Sequence, residues 1–209
     1  MSDQFNYILP EDIEKKSFEI ITKELGDTRL DEEKADIIKR VIHTTADFDY
    51  VTNLCFSEGV VAKARQAIKN GASIVTDTKM ASVGINAGRL EQFGGKVYCF
   101  MADEDIAQKA KKEGTTRASA CMEKALTIQE PLIFAIGNAP TALIKLYELI
   151  LDNRLNPELI IGVPVGFVNV VESKELIMNA GVPYIVARGR KGGSNVAAAI
   201  CNALIYSLY

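Results

Sequence analysis

Residues 132–155, LIFAIGNAPTALIKLYELILDNRL, decide the fold class. Leu132 to Ile136 is an unbroken apolar run, the pattern of a strand covered on both faces. Three small residues follow, Gly137-Asn138-Ala139, and then a helical stretch from Pro140 to Leu155. The same order of strand, loop and helix recurs on either side. Strands are expected at Tyr50 to Phe56, Ser73 to Thr76, Lys96 to Met101, Leu159 to Val163 and Tyr184 to Ala187. Helices are expected at Ser57 to Asn70, Lys79 to Phe93, Glu104 to Glu113, Val171 to Ala180 and Asn195 to Tyr209. The first three of these stop at Gly71, Gly94 and Gly114, where a left-handed C-cap is favoured. Such alternation implies an α/β chain: three layers, α/β/α, around a mostly parallel sheet of five or six strands.

Ahead of the alternation lies a helical arm, residues 1–48. Pro10 opens its first helix, acidic residues follow near the positive end, and Gly26 ends it. At ~100° per residue Ile13, Phe18, Ile20, Ile21 and Leu25 form one stripe, with Ser17 in its middle, so a hydroxyl is expected on a buried face. The second helix, Asp31 to about Thr44, gathers Ile37, Ile38, Val41 and Ile42 on one side. Arg40, His43 and Thr44 share the flank beside it, so Arg40 and His43 are expected to point into one region. No repeat period or low-complexity linker interrupts the chain, and residues 1–209 read as one domain, with 49–209 carrying the alternation.

Composition narrows the partners. The 209 residues are 48% hydrophobic and 24% charged, with a net charge of -3, which excludes a disordered or fibrous chain. The acidic balance argues against a nucleic-acid or membrane surface, since either needs a sustained basic excess. MSDQFNYILPEDIEKK has neither a basic nor an apolar leader region, and Val196 to Tyr206 falls short of the ~20 residues of a membrane span. A cytoplasmic location is expected. Cys55, Cys99, Cys121 and Cys201 are widely spaced and read as reduced core thiols; with one histidine in the chain, a protein-made zinc or iron-sulfur site is not indicated.

In folds of this class ligands lie beyond the carboxyl ends of the strands. The loops there read Asp77-Thr78-Lys79-Met80, Gly137-Asn138-Ala139, Gly162-Val163-Pro164-Val165-Gly166 and Arg188-Gly189-Arg190-Lys191-Gly192-Gly193-Ser194-Asn195. Glycines admit close backbone approach, and guanidinium forks pair with carboxylate or phosphate, so an anionic ligand is implied. The last loop serves equally as a plain connection with solvated charges; it is no P-loop, and no GxGxxG fingerprint stands in the right context. Arg117, in TTRASA near a helix start, fits a surface residue as well as a site. His43 is the only imidazole, so any histidine-dependent proton transfer must use it. Its place at a helix end also suits a residue that satisfies last-turn carbonyls. No GxSxG elbow offers it a nucleophile.

Five segments carry a resemblance. They are Pro10-Glu11-x-Ile13-Glu14-x-x-Ser17-Phe18; Arg40-x-Ile42-His43-x-Thr45-x-Asp47-Phe48; Asp77-x-x-Met80 with Gly84-Ile85; Gly137-Asn138-Ala139-Pro140-Thr141-Ala142; and Gly162-x-Pro164-Val165-Gly166-Phe167-Val168 with Glu172-Ser173-Lys174. In this order, over essentially the whole chain, they resemble precorrin-8X methylmutase. The resemblance implies an isomerase of corrinoid (vitamin B12) biosynthesis that shifts a methyl group from C11 to C12 of precorrin-8X or cobalt-precorrin-8, giving hydrogenobyrinate or cobyrinate. It implies His43 as the acid-base residue, Ser17 and Arg40 as substrate contacts, no external cofactor, and a homodimer. A flat macrocycle fringed by carboxylates calls for an apolar floor with cations at its rim, and Arg117 and Arg188, then Arg190 and Lys191, are the candidates. Two other readings remain beside it: a tetrapyrrole carrier without catalysis, and a nucleotide- or sugar-phosphate enzyme using the Arg188 to Asn195 loop.

Overall fold

The computed structural model describes residues 8–209. A 3-10 turn, Pro10–Asp12, leads into α1 (Ile13–Leu25), which is followed by α2 (Glu32–Thr45) and a single turn α3 (Tyr50–Asn53). The alternation then runs β1 (Leu54–Phe56), α4 (Val60–Lys69), β2 (Ser73–Thr76), α5 (Lys79–Gly84), α6 (Ala87–Glu91), β3 (Val97–Tyr98), α7 (Glu104–Glu113) and α8 (Arg117–Ala125). It ends with β4 (Leu132–Ile136), α9 (Pro140–Leu151), β5 (Leu159–Gly162), α10 (Val170–Met178), β6 (Tyr184–Ala187) and α11 (Ser194–Tyr206).

The six strands form one sheet in the order β1-β6-β5-β4-β2-β3. All neighbours are parallel except β1 and β6. Strand side chains alternate between faces, and both faces are covered. Ile74, Ile133, Ala135 and Ile161 join a core with α2, α4, α5, α6 and α11, while Val75, Phe134, Ile136 and Ile160 join a second core with α7, α8, α9 and α10. This two-sided burial is why β4 and β5 read as continuous apolar runs, and each fully buried Ile contributes about 1.5–3 kcal/mol. The three-layer architecture expected from the sequence is therefore present.

Several boundaries differ from expectation. Tyr50–Asn53 is helical instead of extended, because β6 is too short to pair with it: the ladder runs from Phe56 opposite Ile185 to Leu54 opposite Ala187 and closes with the Arg188 N–H on the Asn53 carbonyl, 2.7 Å. The expected helix Lys79 to Phe93 is cut in two. Asn202 of α11 accepts from the Asn86 N–H (2.8 Å) and donates to the Gly84 carbonyl (2.8 Å), and Asn86 then caps α6 by accepting from the Arg89 N–H (3.1 Å). The strand expected at Lys96 to Met101 shrinks to the edge pair Val97–Tyr98, and the helix start expected near Arg117 opens α8, which runs to Ala125.

The arm departs most. Ile21 is the only residue of α1 that is buried; Ile13 and Ile20 are 52% and 48% exposed. The α1 helix packs on α2, and no other part of the described chain covers its far side. Ser17 is accordingly half-buried, and its hydroxyl donates to the Ile13 carbonyl one turn back (3.0 Å) instead of sitting free within an apolar face. Cys121 and Cys201 are buried, with thiols pushed up to about 12 by desolvation; Cys55 and Cys99 are half-buried. Among the described residues no helix is long and apolar enough to cross a membrane.

Candidate active site

The chain reverses its winding at β2: α5 and α6 leave toward one face and β3 beyond, whereas β4, on the other side of β2, sends α9 to the opposite face. Such a switch point opens a crevice at the carboxyl ends of the two strands. Asp77, 1% exposed, closes its floor. Its carboxylate accepts the backbone N–H groups of Gly137 (2.9 Å), Asn138 (2.8 Å) and Ala139 (2.6 Å), joining the loop after β2 to the loop after β4. Burial raises its carboxyl above the usual range while these three bonds pull the other way. Beside it Thr78, which caps α5 by accepting from the Ala81 N–H, bonds Ser194 at the start of α11 (2.8 Å between hydroxyls). Around this crevice lie uncovered apolar side chains: Met80, Val83, Val165, Phe167 and Val168, the last two about four-fifths exposed.

Two further loops meet here. The segment Arg188–Gly193 is bonded to the loop after β5 through the Gly166 N–H to the Arg190 carbonyl (3.2 Å) and the Gly193 N–H to the Val163 carbonyl (2.9 Å). The approach is close enough that a Cβ on Gly192 would lie 2.1 Å from the Val163 oxygen. On the other side, Lys191 donates to Asp47 and Asp49, 2.6 Å each, which ties this loop to the segment that follows α2. That double pairing raises the Lys191 ammonium and lowers the Asp47 carboxyl.

His43 stands in the last turn of α2. Asp31 caps the helix start by accepting from the Glu33 N–H (3.0 Å), and Ala46 turns left-handed at φ 53° to end it. The imidazole is exposed and meets Phe18 edge-on, 5.5 Å between centroids. Next to it is a cavity of about 250 Å³ lined by residues that include Ser17, Ile20, Ile42 and Phe48, so Ser17 and His43 share one opening. Arg40 does not line it. Its guanidinium pairs with Glu14 (2.5 Å), lies over the rings of Phe18 (5.3 Å) and Tyr206 (4.8 Å), and borders a neighbouring cavity of about 250 Å³. Arg40 lies over the Phe18 ring and His43 meets that ring edge-on, so the two flank it, and they line separate cavities instead of the single region expected.

The rim candidates divide by their partners. Arg188 is held by both oxygens of Glu175, 2.8 and 3.0 Å, and Lys191 is engaged as above. Arg117 and Arg190 have no carboxylate partner among the described residues. Arg117 is exposed at the first position of α8, beside the hydroxyl cluster Thr116, Ser119 and Thr141, and Arg190 lies over the Phe167 ring at 5.4 Å. With Arg188 and Lys191 internally paired, Arg188–Asn195 is not an open phosphate cradle. Among the described residues no three His, Cys, Asp or Glu side chains converge as a metal site would need. Two buried charges carry much of this geometry without having been assigned a role from sequence: Asp77 and Lys174. Both stood in segments that carry the family resemblance, but the charged neighbours Lys79, Glu172 and Glu175 gave no sign that these two alone are buried.

Comparison with known proteins agrees with the layout. The family model described as precorrin-8X methylmutase matches residues 12–207. A cobalt-precorrin-8 methylmutase of Priestia megaterium is 44% identical over 94% of this chain and 88% of its own length. That of Salmonella typhimurium is 44% identical over 95% and 96%, and the precorrin-8X methylmutase of Pseudomonas aeruginosa 38% over 92% and 93%. The crystal structure of precorrin-8X methylmutase from Thermus thermophilus superposes with a TM-score of 0.85 at 38% identity, covering 93% of this chain and 96% of that one. With sequence, fold and length all in agreement, this chain belongs to the precorrin-8X methylmutase family.

Proposed function

We propose that this protein isomerises precorrin-8X or cobalt-precorrin-8 by moving the methyl group from C11 to C12, yielding hydrogenobyrinate or cobyrinate, with His43 as acid and base. Family membership over nearly the full length is the observation that carries the reaction class. For the residue role, the support is that the chain's single imidazole stands exposed at the mouth of a cavity shared with Ser17. In the shift the methyl carbon leaves C11 as it bonds C12; nothing is oxidised or reduced. His43 lends a proton to the ring C region while the bond migrates and recovers it afterwards, so the balance is neutral. This suits a site without a nucleophile, and acid help of this kind is worth ~10²- to 10⁴-fold.

The macrocycle's acidic arms need cations not already paired, which favours Arg117 and Arg190 over Arg188, while Arg40 becomes available once Glu14 yields it. The uncovered Met80, Phe167 and Val168 suit a flat apolar ligand. A cavity of about 250 Å³ is below the ~300–1,000 Å³ typical of ligand sites. A macrocycle with its side arms therefore has to use surface beyond that cavity, and we propose that a homodimer in the cytoplasm, covering Ile13 and Ile20, is the working form. Incubation with precorrin-8X, followed by visible spectrum and chromatography, tests the assignment. Conversion with a coloured enzyme-product complex is expected; binding without conversion would identify a carrier and overturn the catalytic reading.

A further inference from the structure

Lys174, on α10, is 0% exposed and has no acidic partner among the described residues. Its ammonium donates to two carbonyls of the basic loop, Gly189 (2.7 Å) and Lys191 (2.9 Å). The carbonyl between them, that of Arg190, is taken by the Gly166 N–H. Three consecutive backbone acceptors are thus held from beneath by α10 and the loop after β5, in a segment with three positive-φ glycines, Gly189, Gly192 and Gly193. A fully buried charge without a counter-ion is costly, and desolvation lowers this one to about 8. A hydrophobic residue would pack there more cheaply, so the bonds to the loop are what the charge offers.

We propose that Lys174 is a positioning residue whose ammonium fixes the Arg188–Gly193 loop, and thereby sets both Arg190 at the rim and, through the Lys191 bonds to Asp47 and Asp49, the end of α2 that carries His43. The connection is continuous: Lys174 to the Lys191 backbone, Lys191 Nζ to Asp47 and Asp49, and the Asp47 N–H to Thr45 Oγ1 (3.2 Å) in the turn after His43. Lys174 touches neither cavity, so it acts through these groups and not on the substrate.

The test is Lys174→Met in the full chain, which keeps the length and apolar stem but removes the donors. Trypsin can cut the loop after Arg188, Arg190 and Lys191, and cleavage there should accelerate by about tenfold or more in the variant, with other sites unchanged. This measurement needs no substrate and is independent of the proposed function. The kinetic arm rests on that function: KM for precorrin-8X should rise about tenfold through Arg190, and kcat should fall about tenfold through the displaced turn that carries His43. A folded variant whose loop resists trypsin as the wild type does overturns the proposal. A loop that opens with KM unchanged overturns the positioning role and leaves the isomerase intact, whereas a wild type that converts nothing refutes the isomerase alone. Should Lys174→Met not fold, the wild type decides: its Lys174 ammonium should give a ¹H–¹⁵N signal exchanging hydrogen at least about tenfold more slowly than those of exposed Lys79 and Lys111. Exchange as fast as theirs overturns the proposal.

Discussion

Replacing Gly192 by alanine tests whether the basic loop is truly pressed against the loop after β5. Gly192 has φ +156°, and its new Cβ would lie 2.1 Å from the Val163 oxygen and 3.0 Å from that of Pro164. Ordinary carbon-oxygen contacts begin near ~3.3 Å, so the backbone must retreat by about 1 Å. That retreat breaks the adjoining bond from the Gly193 N–H to the Val163 carbonyl, now 2.9 Å. Strain of about 1–3 kcal/mol and a lost bond of about 0.5–1.5 kcal/mol give roughly 2–4 kcal/mol. At about 2–4 °C per kcal/mol for a chain of this size, the melting temperature should fall by roughly 5–15 °C. Gly114→Ala is the control: φ +63° but nothing within 4 Å of its Cβ, so only left-handed strain of about 1–2 kcal/mol applies. Circular-dichroism melts of the three proteins at one concentration and scan rate provide the comparison. If Gly192→Ala melted within about 2 °C of wild type, or no lower than Gly114→Ala, the close packing of these loops would be refuted.

His43→Ala should lower kcat by ~10²- to 10⁴-fold with the affinity for hydrogenobyrinate retained; a rate near wild type would remove His43 as the acid. Arg190→Ala and Arg117→Ala should each weaken the product complex by about 1.5–3 kcal/mol in a spectroscopic titration, with Arg188→Ala weakening it least because Glu175 already holds that guanidinium. Equal losses at all three positions would contradict the division by partner. Glu14→Gln, which releases Arg40, should tighten product binding, and looser binding would show that Glu14 aids the ligand instead of competing with it. Because the folded-state Lys174 is depressed to about 8, its buried charge costs stability most fully below that pH, and the cost fades as pH rises toward the ordinary lysine value near ~10.4. Urea unfolding at pH 7.5 and 9.5 should therefore shift the balance between wild type and Lys174→Met in favour of wild type at the higher pH. A shift the other way would refute the sign.

The parallel strands were legible because burial on both faces leaves no polar alternation to confuse them: Ser73–Thr76, Leu132–Ile136 and Tyr184–Ala187 appear with the expected bounds. Sheet edges were not, since whether Tyr50 or Lys96 extends a strand depends on how far β6 or β2 reaches. The cut between α5 and α6 is imposed by Asn202, over a hundred residues away in sequence. Helical spacing put Ile13, Ile20 and Ile21 in one stripe on α1 but could not say how much of it the chain covers: Ile21 is buried, whereas Ile13 and Ile20 are not. For the site, spacing brought Ser17 and His43 into view through the family resemblance, and the two do line one cavity. The pairing of Arg40 with Glu14 and the buried state of Asp77 and Lys174 escaped. Sequence shows that a charge exists, and only three-dimensional packing shows which charges are sealed from water.

The outermost strands of the sheet are stubs of three residues on the β1 side and two on the β3 side. An incoming chain would find almost no ladder of free N–H and C=O groups to extend, which is a guard against open-ended polymerisation. Any lasting association of two copies is then left to helix and loop faces, since strand-to-strand growth has almost nothing to build on.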